Sequence, residues 1–356
     1  MLRRLILLAL VVAFAYAIYT YWGELVTIVD VLRNGLWYLV LAGLGLVGVS
    51  ILNQAWLYSS LYDVVDLPSE KKHLLPIFLT TRFVMVVAPS GGLSGWVPFI
   101  QDARQRDLPV GMVIVVNLVY MVLWYSSFAI FLFAGLIFLF LAHDLQWFEV
   151  TAAATLMFID VLMIAGLVLS LVAPGPMERI LRWGVLAMRR GAQLFKREGP
   201  FTDQQVANFV ADLNEATTLM RHAGWKLGRP VAHAIGVEAL NLAMLYLMFL
   251  AFGLHATFGL LVAGYSVAIL FYIISPTPGG LGFVESALIL VLTSLGVPSG
   301  GATVVTLAFR GLTFWIPFLL GFVALRWAAR EPDTSDPGRA MEVAPSPVRP
   351  LRDEFP

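Results

Sequence analysis

Between two very apolar segments the chain carries Pro276-Thr277-Pro278-Gly279-Gly280-Leu281-Gly282-Phe283-Val284-Glu285, a proline–glycine break with an acid three residues past its last glycine. Hydrocarbon offers no hydrogen bonds to a free backbone N–H or C=O. Irregular backbone at membrane depth therefore survives only inside protein or beside a water-filled cavity. An interrupted helix of this kind is the best sequence pointer to a transporter's substrate site. The rest of the chain suits that setting. Of 356 residues, 59% are hydrophobic and 13% charged, against about 25% charged in an ordinary soluble domain.

A helix needs roughly 20 apolar residues to cross the hydrocarbon. Full-length candidates lie at 5–23, 36–61, 110–141, 150–173, 231–254, 257–276 and 300–329. Three pieces, 74–88, 91–103 and 283–297, are too short or too rich in Gly, Pro or charge for an ordinary span. The first is a borderline span; the other two read as half-helices or re-entrant elements. The run from Leu5 to Tyr21 is longer than a signal-peptide core and lacks a clear small-x-small cleavage site before Trp22-Gly23-Glu24, so it reads as an uncleaved first span. Lys and Arg then set the orientation. With Arg3 and Arg4 inside, Lys71, Lys72, Arg104, Arg106, the nine basic residues of 174–230 and Arg326 and Arg330 all fall inside, leaving only Arg33 outside. Loop 142–149 has no Lys or Arg and falls outside. The expected location is a cytoplasmic membrane with both termini in the cytoplasm. Zero net charge gives no field for nucleic acid, and the absence of cysteine removes disulfides, thiolate metal sites and cysteine nucleophiles.

The break has a counterpart. Pro89-Ser-Gly-Gly-Leu-Ser-Gly parallels Pro278-Gly-Gly-Leu-Gly, and a second proline follows 20 residues later in both, Pro109 and Pro298. Each second proline precedes a glycine, Gly111 or Gly300, and a long span. In the topology above the two units, 74–141 and 257–329, enter from opposite sides, as in the inverted repeats of many secondary transporters. The expected fold is all-α: one polytopic membrane domain, 1–330, a helical bundle with inverted repeats and two short broken or re-entrant elements. Residues 331–356, rich in Pro and charge, are expected to be a disordered cytoplasmic tail.

The stretch from Ser275 to Arg326, with Pro278-Gly-Gly-Leu-Gly, Glu285, Leu295-Gly-Val-Pro, Arg310 and Pro317, resembles the lysylphosphatidylglycerol synthase transmembrane-region family of flippase-like integral membrane proteins. Weaker similarity extends over 70–330. The resemblance implies an all-helical bacterial or archaeal inner-membrane protein. In the best-known members this region moves aminoacylated phosphatidylglycerol between leaflets, and a separate C-terminal soluble domain makes that lipid. This chain departs twice. The tail after 330 is too short for a synthase domain, and Trp96-Val97-Pro98-Phe99 stands where many relatives place a Glu and an Arg. Lipid synthesis is therefore not expected, and the lipid specificity is not carried over.

A charge near the bilayer centre costs at least about 2.5–3.5 kcal/mol, so an intramembrane ion is functional or paired by default. Four such ions lie in or beside spans: Arg82, Asp160, Glu285 and Arg310. Glu285 and Arg310 match the family's acidic and basic positions and are expected to pair beside the break. Three uses stay open for them: locking the broken helix to the last span, holding a phosphate head group together with Arg82, or coupling to protons through Glu285 or Asp160. Arginine suits phosphate because its planar fork binds bidentately and keeps its charge. The break backbones, Gly91, Gly92, Pro278, Gly279, Gly280 and Gly282, complete the candidate binding set. Asp160 hydrogen-bonds a neighbouring helix or joins a proton path. Glu238 and Asn241 share a helix face and, like Asn53 and Gln54, serve interhelical hydrogen bonds or line a cavity.

The stretch from Glu178 to Lys196 mixes basic residues and Trp183 with apolar ones, as an interfacial helix on anionic lipid would, or forms part of a solvated hairpin. A second helix is predicted from Thr202 to about Ala223. There is no P-loop, no Gly-x-Ser-x-Gly elbow and no helical His spacing. No cofactor, metal or enzymatic activity is expected. The leading reading is a lipid flippase whose partners are membrane lipids with an anionic or lipid-linked head group. The alternatives are an accessory subunit for a separate synthase and a polyprenyl-phosphate-using membrane enzyme. A homo-oligomer or a synthase partner is compatible with all three.

Overall fold

The computed structural model describes residues 22–68, 70–88, 93–141, 203–275 and 277–328, with isolated positions at 19, 154, 158, 161–162 and 164–165. Gly91, Gly92, Asp160, the stretch 178–196, loop 142–149, tail 331–356 and nearly all of candidate spans 5–23 and 150–173 lie outside the described residues.

The described chain is a helical membrane bundle without strands. Its helices are α1 (Trp22–Asn34), α2 (Trp37–Val64), α3 (Lys71–Val87), α4 (Trp96–Gln105), α5 (Val110–Leu141), α6 (Asp203–His222), α7 (Gly228–Ala251), α8 (Phe258–Ile274), α9 (Phe283–Ser294), α10 (Ser299–Arg310) and α11 (Ile316–Ala328). A single π turn, Gly311–Trp315, joins α10 to α11. Among the described residues, four helical stretches are long and apolar enough to cross a membrane: 37–64, 110–138, 224–251 and 299–327. They match the expected spans at 36–61, 110–141, 231–254 and 300–329; the stretch 257–276, expected to be a full-length span, instead forms the 17-residue α8, shorter than those four because the chain breaks at Ser275. At about 1.5 Å per residue, the 10 residues of α4 and the 12 of α9 fall well short of the ~30 Å hydrocarbon core. Beyond the end expected for the first span at residue 23, residues up to Asn34 are helical in α1, with Arg33 in its last turn.

Helix ends reveal the repeat more sharply than the prolines do. After α2, α4, α7 and α9 the chain turns through one residue in the left-handed region: Asp66, Asp107, Gly253 and Gly296. The next N–H then reaches back five residues in each case: Leu67 to Tyr62, Leu108 to Ala103, Leu254 to Phe249 and Val297 to Leu292 (2.8–3.0 Å). This is one C-terminal cap used four times. Glycine serves in the second half. Aspartate serves in the first, because its short polar side chain tolerates that conformation. The matched caps place α2–α3–α4–α5 against α7–α8–α9–α10/α11, so each unit takes in one helix more than 74–141 or 257–329.

Equivalent helices run antiparallel. Along α2 and α7, Leu36 N–H donates to the Ala251 carbonyl (2.9 Å), while Asn53 Nδ2 donates to the His233 carbonyl (2.8 Å). The other pairs exchange between units. Helix α8 lies along α5, with Gly259 against Phe138, Gly135 against Ser266, and Leu270 against Phe128 and Leu132. Helix α3 lies along α11 in the same way, with Gly321 against the Leu79 carbonyl and Phe83 stacked on Phe318 at 5.2 Å. The first short helix of each unit therefore packs on the long last helix of the other. This reciprocity fits a two-fold axis perpendicular to the helices, the inverted arrangement.

The predicted second loop helix is present as α6. It docks on α5 where Gly111 N–H donates to Asp212 Oδ2 (3.0 Å), a carboxylate at a helix N-terminus. Helix α1 packs on the π turn through Ile28 and Gly311.

Close packing at Gly321 gives a test with a control. Mid-helix Gly→Ala ordinarily stabilises by about 0.5–1 kcal/mol. A Cβ at Gly321 would stand 2.4 Å from the Leu79 carbonyl oxygen, whereas nothing lies within 4 Å of one at Gly45. Gly321→Ala should lower Tm in detergent, and Gly45→Ala should leave it unchanged or raise it.

Candidate functional site

The second break is held by its own polar groups. Thr277 Oγ1 donates to the Leu281 carbonyl (2.8 Å) and Thr277 N–H to Ser275 Oγ (3.1 Å). Gly279 and Gly280 have φ of 63° and 74°, a region that side chains with a Cβ rarely adopt. A Cβ at Gly279 would also stand 2.2 Å from the Phe314 ring, so backbone and packing both demand glycine. Gly282 caps α9, and its N–H donates to Glu285 Oε2 (2.7 Å), the return half of a capping box.

The other carboxylate oxygen, Oε1, accepts from Arg310 Nε. Arg310 Nη2 donates to the Gly279 carbonyl (2.9 Å), and the guanidinium lies over the Phe314 ring at 4.5 Å. Glu285 is 7% exposed and Arg310 5%. The structure brings together the residues the sequence paired, in a geometry that ties the break to the last span just ahead of the π turn. Such turns recur at functional sites.

Among the described residues the first break has no such lock. Glu285 is the third residue of α9 and Arg310 the twelfth of α10. The corresponding positions of α4 and α5 are Pro98 and Met121. What ties α3 to the turn before α4 is Thr81 Oγ1 donating to the Gly95 carbonyl (3.0 Å).

Two adjoining, partly open hollows meet at Phe78, Arg82, Met85, Trp124 and Tyr272. One extends past Asn241 and Tyr265 to Arg310 and Phe314. The other reaches both breaks, touching Gly95 on one side and Ser275, Thr277, Gly279 and Gly280 on the other. Arg82 thus stands at the junction. It is half-buried, and among the described residues no hydrogen bond or ion pair engages it.

Glu238 and Asn241 are joined through a residue the sequence reading missed. The Tyr265 hydroxyl donates to Glu238 Oε2 and accepts from Asn241 Nδ2 (3.1 Å). Glu238 is 1% exposed, and its Oε1 has no partner among the described residues. Asn241 does both tasks open to it, bonding α8 and lining the cleft. Gln54 lines the cleft too, while Asn53 pairs with His233 between α2 and α7. The aromatic lining, Tyr58, Tyr120, Trp124, Tyr265 and Tyr272, was also missed. Its one sequence signal is a set of polar-tipped rings inside apolar spans, with Tyr120 and Trp124 one turn apart. Among the described residues no cluster of His, Asp or Glu gathers three potential metal ligands.

The family model described as the lysylphosphatidylglycerol synthase TM region matches residues 4–321. The chain belongs to this family. Among curated relatives, a UPF0104 membrane protein of Methanocaldococcus jannaschii is 26% identical over 110 residues, 31% of this chain and 33% of the relative. A UPF0104 membrane protein of Methanothermobacter thermautotrophicus is 34% identical over 79 residues, 22% of this chain and 24% of the relative. The chain thus spans a third or less of the length of the curated relatives it matches. No solved structure matches it.

The buried pair makes its own prediction. Removing one partner leaves the other charge uncompensated, at a cost of about 3–5 kcal/mol. Glu285→Ala and Arg310→Ala should each lower Tm strongly. The double variant Glu285→Leu/Arg310→Leu should lose much less than the sum. Additive losses would show that the two side chains do not depend on each other.

Proposed function

We propose that this protein moves a lipid with a phosphate-bearing head group between the leaflets of the cytoplasmic membrane, with both termini in the cytoplasm. The head group occupies the cleft between the inverted units, and the acyl chains stay in the bilayer. One observation carries the reading: a single cleft touches both backbone breaks and has Arg82, without a hydrogen-bonded or ionic partner among the described residues, at its centre. An unpaired cation at membrane depth is costly, and a guanidinium is shaped for phosphate. Membership of a family named for a lipid synthase's membrane region is consistent with a lipid substrate. The Lys and Arg distribution supports the orientation. Of the three uses open to the Glu285–Arg310 pair, this reading takes the lock: the pair holds the site's shape, and Arg82 holds the head group.

The reading is tested with purified protein in liposomes containing acyl-labelled phosphatidylglycerol, following reduction of outer-leaflet label. Wild-type protein should accelerate exchange over empty liposomes. A charge-assisted hydrogen bond contributes about 1.5–3 kcal/mol, so Arg82→Gln should slow exchange roughly 10- to 100-fold with Tm nearly unchanged. Exchange no faster than in empty liposomes, or an Arg82→Gln protein as fast as wild type, would contradict it.

A further inference from the structure

The charge inventory of the cleft specifies what it accepts. We propose that the cleft selects lipids whose head group is a phosphodiester carrying one net negative charge and neutral hydroxyls, with Arg82 supplying the single matching charge. This selectivity rests on the lipid-transport reading above.

Only two charged side chains are found among the described lining residues, Arg82 and Arg310. Arg310 is already matched. Its Nε serves Glu285, its Nη2 serves the Gly279 carbonyl, and its face lies on Phe314. Among the described lining residues one positive charge is left over. No carboxylate, lysine or histidine lines either hollow among the described residues. The neighbouring acid, Glu238, lies behind Tyr265, which is itself part of the wall. The other polar groups that face the space are neutral amides and hydroxyls, including Gln54, Asn241, Thr313 and Thr277. They suit a glycerol or sugar hydroxyl rather than an ammonium.

Charge matching then ranks head groups. A phosphodiester with a neutral polyol satisfies Arg82 and leaves nothing unpaired. A diphosphate leaves at least one negative charge without a partner. An ethanolamine or aminoacyl head group brings an ammonium that finds no carboxylate and is repelled by Arg82. One uncompensated charge at membrane depth lowers occupancy on the order of 100-fold. The aminoacylated lipid moved by the best-known members of the family is thus a poor fit here. Soluble phosphodiesters share the head-group chemistry. A lipid is the source argued for, because the cleft lies between membrane-spanning helices and is lined largely by apolar and aromatic side chains.

The experiment compares four lipids with identical labelled acyl chains in the same proteoliposomes: phosphatidylglycerol, phosphatidylethanolamine, lysylphosphatidylglycerol and CDP-diacylglycerol. Binding of each lipid to the detergent-purified protein is measured separately by native mass spectrometry. Phosphatidylglycerol should exchange and bind at least tenfold better than the other three. Arg82→Gln should erase the preference and Arg82→Lys should retain part of it, both with Tm near wild type. Soluble glycerophosphoglycerol at matched concentration should not compete. Equal exchange of all four lipids would overturn the selectivity while leaving transport standing. Selective binding lost in Arg82→Gln, with no lipid exchanged, would uphold the site and overturn transport. Competition by glycerophosphoglycerol at the lipid's own affinity would overturn the lipid source.

Discussion

A break in the backbone at membrane depth has to be satisfied by protein, because lipid supplies no hydrogen bonds. At the second break one carboxylate ties the satisfied backbone to the rest of the bundle. Glu285 accepts from the Gly282 N–H with one oxygen and from Arg310 with the other, and Arg310 in turn holds the Gly279 carbonyl. Break, short helix and last span become one body. The three glycines at positive φ let the chain turn tightly enough for this contact, and Phe314 fills the space that a Cβ at Gly279 would need. A buried ion pair contributes little net stability, but losing half of it is expensive. Its value here is positional: it fixes where the cleft has a wall.

The two units share caps, lengths and reciprocal packing yet differ at this point. In the first unit the positions of the acid and the base hold Pro98 and Met121, and the tie across the break is the Thr81 to Gly95 bond. One side of the cleft is clamped by charge and the other by a neutral hydroxyl. Among the described residues that line the cleft, the charge without a partner is Arg82, on α3 of the less tightly held unit, which packs along α11 of the clamped one. Symmetric architecture with asymmetric chemistry leaves one unmatched positive charge among the described residues that line the cleft.

Much of this was legible in the chain because it depends on local pattern. Pro276 to Glu285 announced a break, the lengths of the apolar runs marked the four long spans but overran at 257–276, where α8 has 17 residues, and the equal spacing of Pro109 and Pro298 from their breaks gave the repeat. The match of Glu285 to Arg310 came with the family resemblance, and the structure shows the contact. What stayed hidden depends on tertiary neighbours. Helices α2, α5 and α8 are apolar nearly all round, so no periodicity told which face would meet another helix. Nothing in the sequence therefore set Tyr58, Tyr120, Tyr265 and Tyr272 apart as cleft residues. The link from Glu238 through Tyr265 to Asn241 joins α7 to α8 and needs their packing to be seen. The extra helix of each unit was missed because Asp66 and Asp107 do not resemble Gly253 and Gly296 in sequence, although the four cap identical turns.

The central claim is that inverted halves enclose a hydrated cleft at membrane depth. The chain has no cysteine, so single cysteines report cleanly. Tyr272→Cys places a thiol where the two hollows join, whereas Leu290→Cys places one on the outward face of α9, where the native side chain is 70% exposed. In intact membranes a charged, water-soluble thiol reagent should label Tyr272→Cys and leave Leu290→Cys unmodified. Equal inertness of the two would contradict a water-filled cleft and the account built on it.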